Sequence, residues 1–554
     1  MQPPAPASLD SPFYYLENFL TALQWVMRQH AALLSPGELS RLAEFQQLPQ
    51  EAQALLVRLL MRKGNLFRGD KLRYGEIDTL SAIRHLKAQN WLEQITAIEV
   101  EAYFALFTKA EAQQHLAQKF RASGLKCSAT KRELKEALQN LCGETPLPSP
   151  KPVIAISSPQ LFLKVRLLFF GNLHQDWSEF VLTELGHLRY ESVSMPEGQS
   201  VFGDAKTVER FLQLSQLEEE LLTTGAPEKL TAKLPRCCEA HFLTERLRNK
   251  ILFLIGQQAQ RLEQHELALD CYSHCNLTEA KLRQFRLKER FGPDPALFQQ
   301  LSAALGSTPS RAEAEGYRRI LKRLAKKLNL KPPQTAPSRQ IPVFEAPLHS
   351  HDSPTIEGYA ADYLATPETP VFYVENTLFN GLFALLFWPA LFAPVPGAFF
   401  HPFQSRPADL YQKEFVCKRR NIIDNCLALL ESNGYRQTML QRWEQKRGIS
   451  CHLINWQRLD GKRLSLALQC ISPEALRAIF ERMLENISDH CKGFPDLIQF
   501  YPQQGRFRLI EVKGPGDRLQ PHQRYWLEYL LDHDIDVSVL NLKAADQADS
   551  FSAG

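Results

Sequence analysis

The segment LIQFYPQQGRFRLIEVK, residues 497–513, leaves few folding choices. Two runs of strand-forming residues flank PQQG, whose Pro502 and Gly505 favour a turn. With Pro502 to Gly505 as a four-residue loop, Tyr501 opposes Arg506, Ile498 opposes Leu509 and Asp496 opposes Glu511. Directly opposed residues have Cβ atoms about 5 Å apart. Glu511 and Lys513 are two positions apart and so project to one side, which Phe507 and Leu509 continue into the core. Two carboxylates and one amine therefore share one end of an apolar face.

Opposed carboxylates repel unless a cation intervenes. Lys513 supplies one charge, and a divalent cation, which prefers oxygen ligands, would supply two more. Such an ion polarises a phosphate and lowers the pKa of a bound water. The lysine can orient that water or stabilise developing negative charge. The same spacing also suits a surface ion-pair cluster at a strand end, and on spacing alone both readings stand.

The hairpin is a small part of 554 residues, a length that predicts two to four domains. Glycine is scarce and leucine, glutamine and alanine are common, so helix should dominate. Proline-rich stretches at 143–152 and 331–342 read as boundaries or surface connections. The expected organisation is a helical region over 1–100, a helical hairpin over 101–150, a helical region over 151–335 and an α/β domain over 340–554. The run from Thr377 to Phe400 carries no charge, but prolines cut it too short to cross about 30 Å of bilayer, so it reads as a core helix. No membrane association is expected, and no signal peptide is read at the N-terminus.

Net charge is only +4, so any polyanion partner must be bound through local clusters. Arg58, Arg62, Lys63, Arg68, Lys71 and Arg73 form one such cluster. The stretch around SGLKCSATK, with Gly124, Leu125, Thr130, Lys131, Leu134 and Leu138, resembles a SAP module, a small helical DNA-binding hairpin. Lys126, Lys131 and Arg132 would contact phosphates there rather than read bases. In the middle region, LIGQQAQRLEQHELALDCYSHC resembles a tetratricopeptide-like helix pair, with Gly256, Ala268, Leu269 and Tyr272 near consensus places. The 11 cysteines show no CxxC pair and suit a reducing cytosol. Cys237, Cys238, Cys271 and Cys275 read as buried thiols rather than zinc ligands.

Pro495-Asp496 followed by Glu511-Val512-Lys513 resembles the PD-(D/E)XK nuclease signature. More narrowly, GFPDLIQFYPQQGRFRLIEVKGPGDRLQPHQRYWLEYL resembles the VRR-NUC domain, and its context is similar to the Fanconi-associated nuclease family. LLVRLLMRKGNLFR, the SAP-like hairpin, the helical middle and VENTLFNGLFALLFWPALF follow in that family's order. The resemblance implies helical N-terminal and middle regions followed by a restriction-endonuclease-like α/β domain. It implies a magnesium- or manganese-dependent nuclease that cuts 5′ flaps and related branched DNA, trims from 5′ ends and serves interstrand crosslink repair. The metal ligands would fall on Glu375, Asp496, Glu511 and the Val512 carbonyl, and the catalytic lysine on Lys513. Gln523 matches a glutamine that supports the site, while Arg419, Arg420, Lys492 and Arg518 would meet DNA.

Eukaryotic members of the family begin with a ubiquitin-binding zinc finger that has no counterpart motif here, and a cytoplasmic, nucleoid-associated enzyme is expected. Asp489 stands where some members place a basic residue for a terminal phosphate. Two other readings compete. One is a four-way junction resolvase, which would require a symmetric dimer. The other is a scaffold that binds branched DNA without cutting it.

Overall fold

The structure, a computed structural model, describes residues 11–122, 129–143, 145–175, 177, 189–195, 200–235, 241–307, 311–331, 339–348, 354–432 and 434–544. It divides into two compact units: residues 1–188 with 196–212, and residues 189–195 with 213–554.

The first unit opens with helices α1 (Tyr14–Gln29) and α2 (Gln50–Leu60), which bury apolar residues at helical spacing, among them Phe19, Leu23, Val26, Leu55 and Leu59. It is not wholly helical. Strands β1 (Leu66–Arg68), β2 (Leu92–Ile98) and β3 (Leu147–Ile156) form an antiparallel sheet with β3 in the centre. This corrects the reading of 143–152 as a break. Pro150 and Pro152 are tolerated because the β2 ladder skips them, from Ile95 opposite Val153 to Ala97 opposite Pro148. The β1 ladder meanwhile ends at Val153. The missing N–H groups thus fall where no neighbour needs them.

Gly124, Leu125 and Lys126 of the SAP-like stretch lie outside the described residues. Its second helix, α3 (Lys131–Cys142), starts at Thr130, which forms a capping box with Glu133, and buries Leu134 and Leu138 beside Tyr103, Phe120 and Val153. Lys131 and Arg132 are exposed, and Arg132 pairs with Glu136 at 2.7 Å.

His30, at the C-terminal end of α1, is 2% exposed, and neither ring nitrogen has a hydrogen-bond partner among the described residues; burial pushes its pKa down to about 4. The unfolded chain therefore binds a proton that the folded unit refuses between about pH 6.5 and 4. Stability is full above that window and falls as pH drops through it, by up to about 3 kcal/mol. Thermal unfolding at pH 7 and pH 5 should show this loss, and His30→Leu should reduce it. An unchanged pH response in the variant would contradict the assignment.

The second unit begins with a helical array. Helices α4 (Phe242–Arg261) and α5 (His265–Ser273) form a packed pair over the stretch read as tetratricopeptide-like. A Cβ on Gly256 would stand 2.6 Å from the Tyr272 ring, so only glycine permits this approach. Cys271 and Cys275 are buried thiols whose pKa values burial raises, whereas Cys237 and Cys238 lie outside the described residues. Helices α6 (Thr278–Arg290), α7 (Pro295–Gly306) and α8 (Arg311–Leu328) close the array around Phe285, Leu297, Leu301, Tyr317 and Leu321. Residues 332–338 of the second proline-rich stretch lie outside the described residues.

A five-stranded mixed sheet follows, in the order β4-β8-β7-β6-β5. Its strands are β4 (Val343–Leu348), β5 (Val371–Tyr373), β6 (Leu497–Tyr501), β7 (Arg506–Lys513) and β8 (Val537–Ala544). Helix α9 (Ile356–Leu364) packs beside β5 and β7. Helix α10 (Leu378–Leu386) lies within the uncharged run that begins at Thr377. All nine of its residues are buried, in a core shared with α11 (Pro473–Glu485) and α12 (Pro521–Asp532). Among the described residues no helix is long and apolar enough to cross a membrane.

Candidate active site

The hairpin adopts the expected register: Tyr501 faces Arg506 and Ile498 faces Leu509. A 3-10 turn over Pro502–Gln504 and a left-handed Gly505 (φ 60°) close the loop. Beyond the last pair, Leu497 with Ile510, the Asp496 side chain continues the strand pairing: its Oδ2 accepts the Val512 N–H at 2.9 Å. N–H and C=O of one residue point to the same edge of a strand, so the Val512 carbonyl faces this gap as well.

On the other side of β6, the β5 ladder is prolonged by the Val374 N–H, which donates to the Asp496 carbonyl at 2.8 Å. That bond sets Glu375 next to Asp496. Asn376, left-handed at φ 52°, then turns the chain into α10. Three aromatic rings hold the segments together. Phe379 of α10 lies 5.1 Å from Phe494, which stacks at 4.2 Å on Trp526 of α12. The Trp526 indole N–H donates to the Lys492 carbonyl at 2.9 Å. Gly493 has φ +78°, and a Cβ there would stand 2.6 Å from the His522 ring. The residues that follow Glu375, precede Asp496 and carry Gln523 are thus fixed by one stack.

Glu511 is fully buried. Its Oε1 accepts from Lys513 Nζ at 2.7 Å, and its Oε2 has no hydrogen-bond partner among the described residues. Lys513 also donates to Gln523 Oε1 at 3.2 Å, and the same oxygen accepts the Gln520 N–H at 2.9 Å in a capping box at the start of α12. Gln523 therefore ties the lysine to the helix. Glu375 accepts from the Tyr373 hydroxyl at 2.6 Å and from the Asn376 amide at 3.0 Å.

Burial, reinforced by the neighbouring Glu511 carboxylate and by Glu375, pushes the Asp496 carboxyl up to about 7; the Val512 N–H and Lys513 pull the other way. Burial likewise raises Glu511, against the opposing pull of Lys513. The carboxylates sense one another but are not drawn into one cage. Among the described residues, no three His, Cys, Asp or Glu side chains stand ready around a cation position.

The fit to a divalent cation rests on the orphaned Glu511 oxygen. A buried carboxylate oxygen without a donor costs on the order of 1–3 kcal/mol, a cost that a cation would offset. One lysine cannot balance Glu375, Asp496 and Glu511. Glu357, at the start of α9, adds a fourth negative charge that bears on both Glu511 and Tyr373. Sequence reasoning missed it, since a glutamate in a helix's first turn is usually there for the helix dipole. Arg458 was missed too; its guanidinium lies 5.7 Å from the centre of the Tyr373 ring.

The residues expected to meet DNA fall into two groups. Arg62, Lys63, Arg73, Arg420, Lys492 and Arg518 are exposed. Three others are engaged within the fold, and for the buried Arg68 and Arg419 this corrects the expectation. Arg419 is 1% exposed and bidentate to Asp409, at 2.8 and 3.0 Å. Arg68 is 6% exposed and paired with Asp70 and Glu111. Arg58 lies over the Tyr15 ring and pairs with Glu76 at 2.6 Å. Asp489 is hydrogen-bonded to Asn486 in a short helix cap.

Known proteins match this arrangement along nearly the whole chain. Residues 430–544 match the VRR-NUC domain, and residues 13–93 match the FAN1 HTH domain. A Fanconi-associated nuclease 1 homolog of Pseudomonas aeruginosa is 39% identical over 97% of this chain and 98% of its own. The Oryza sativa homolog is 24% identical over 95% of this chain and 62% of its own. A crystal structure of paFAN1 bound to 2nt 5′flap DNA with gap superposes with a TM-score of 0.88 at 37% identity, covering 97% of this chain and 99% of that one. With a VRR-NUC hairpin carrying Asp496, Glu511 and Lys513 and a relative of this identity along nearly its full length, the chain belongs to the Fanconi-associated nuclease family.

Proposed function

We propose that the protein cuts 5′ flaps and related branched DNA in a magnesium- or manganese-dependent reaction. In this reading it also trims from 5′ ends, acts at the nucleoid in the cytoplasm and serves interstrand crosslink repair. The observation that carries the reading is the full-length likeness to paFAN1, whose structure holds 5′-flap DNA.

Glu375, Asp496, Glu511 and the Val512 carbonyl would hold the cation, which when bound polarises the scissile phosphate and acidifies a water. The chain's own residues do the rest. Asp496 spends one oxygen on the Val512 N–H, which fixes its rotamer. Glu511 holds Lys513, and Gln523 holds it from the other side, so the ammonium is confined between two oxygens. There it can orient the attacking water or meet the charge that develops on the phosphate. Tyr373 and Asn376 keep Glu375 from swinging away. Exposed Arg420, Lys492, Arg518 and Lys131 would track the backbone, so binding should weaken as salt rises.

End-labelled flap, duplex and four-way junction substrates, with and without magnesium or manganese, test the proposal. Single cuts near a flap base that appear only with metal are expected. Paired symmetric cuts of the junction would point to a resolvase, and no cutting with either ion would point to a scaffold.

A further inference from the structure

The outer face of α8 has no part in the site, yet it concentrates charge more than any stretch singled out from the sequence. Arg318, Arg319, Lys322, Arg323, Lys326 and Lys327 stand in this helix, and no Asp or Glu follows Glu315 until Glu345. The whole chain carries only +4, so the remainder is slightly acidic and the positive potential gathers here.

The helix is strictly two-faced. Tyr317, Ile320, Leu321 and Leu324 are 0–2% exposed and pack on α6 and α7. A Cβ on Gly316 would stand 2.7 Å from Leu282, so this face is tightly seated. Opposite lie exposed Arg319, Lys322, Arg323 and Lys326, with Lys327 exposed at the flank near the helix's end. Arg319 pairs with Glu315 at 2.5 Å, and Arg323 is bidentate to Glu289 of α6, at 2.7 and 2.6 Å. Lys322, Lys326 and Lys327 make no ion pair among the described residues. Lys322 and Lys326 are four apart, a like-charge spacing that weakens a helix by a few tenths of a kcal/mol. Lys326 and Lys327 sit in the last turn, where the helix dipole favours cations, but Lys322 lies outside it and none of the three pairs with a carboxylate among the described residues, so an external anion is the natural counterpart.

We propose that this face is a docking surface for a duplex arm of the DNA substrate. The inference rests on the reading that the protein binds branched DNA. The chemistry of the face separates DNA from other polyanionic partners. A protein interface is depleted of lysine at its centre, whereas three of these five exposed positions are lysines. A membrane-surface helix must insert its apolar face, and that of α8 is committed to the Phe285 core. The ammonium groups of Lys322 and Lys326, about 6 Å apart along the helix, with the Arg319 and Arg323 guanidiniums on the same face, suit repeated phosphates read by charge rather than by sequence.

Lys322→Gln/Lys326→Gln/Lys327→Gln in the full chain tests it. The lysines are exposed, so the melting temperature and circular dichroism should stay those of the wild type. Affinity for a 5′-flap duplex, measured from 50 to 200 mM salt without divalent metal, should fall by roughly two to three orders of magnitude near 0.1 M. The log–log salt slope should shrink by about 2.7, at roughly 0.9 for each phosphate that the variant leaves unneutralised. Independently, a benzophenone amino acid placed at Lys326 should photo-crosslink to a duplex arm. Wild-type binding with an unchanged slope in the variant and no crosslink would overturn this inference alone. Failure of the wild type to bind flap DNA at all would overturn the functional reading and this inference with it.

Discussion

Asp496→Asn should reduce flap cleavage by at least about a thousandfold while leaving flap affinity in metal-free buffer within a factor of a few. The loss corresponds to roughly 4 kcal/mol of transition-state stabilisation, the scale expected when one member of a charge-stabilising unit is removed. The amide oxygen can still accept the Val512 N–H, so the β6–β7 edge should hold its geometry. The metal-free variant should also be more stable than the wild type. Burial raises the Asp496 pKa to about 7, so its ionised form opposes folding. The folded state keeps its proton where the unfolded chain releases it, so the penalty grows as pH rises from about 4 to about 7. The variant escapes this penalty, and its melting temperature should exceed the wild type's by a few degrees at pH 8 and by little at pH 4.5. Added magnesium should stabilise the wild type and do much less for the variant. Near-wild-type cleavage, or a variant less stable at pH 8 than its parent, would remove Asp496 from the assigned role.

The hairpin was legible in the sequence because two facts fix it: strands have a period of two, and PQQG permits a four-residue loop. Parity alone then placed Glu511 and Lys513 together. Glu375 was legible only through family resemblance, since more than a hundred residues separate it from Asp496 and its approach depends on one backbone bond, from the Val374 N–H to the Asp496 carbonyl. Strand β3 was hidden by its prolines. The β-branched run from Val153 to Ile156 was the available signal, outweighed by the Pro-rich stretch before it. Arg419 and Arg420 looked alike as charges, but Arg419 stands at the junction (φ −124°) between two short helices, Glu414–Lys418 and Arg420–Ala428, and turns inward there. Phe415, Arg419, Ile423 and Cys426 repeat at 4, 4 and 3 residues and are all buried, whereas Arg420 points to solvent. A charge inside an apolar stripe signals a buried partner in search of its counterion.

That pair supports the second large effect. Asp409→Ala should destabilise the second unit by about 3–5 kcal/mol, because it leaves the Arg419 guanidinium charged in a site with 0% side-chain exposure. The remaining neighbours, the Phe415 carbonyl 3.3 Å from Nη1 and the Phe415 ring at 4.4 Å, cannot neutralise it. Replacing both partners, as Asp409→Leu with Arg419→Met, should recover most of the loss, since a buried ion pair and an apolar pair of similar volume differ little in net free energy. Denaturant unfolding of the two single variants and the double gives the coupling energy directly. The same experiment separates the two adjacent arginines. Arg419→Gln should lower stability and leave the flap affinity of the folded protein unchanged. Arg420→Gln should leave stability unchanged and lower affinity in a salt-dependent way. An Arg419→Gln variant that melts like the wild type would show that the buried pair does not hold this part of the fold.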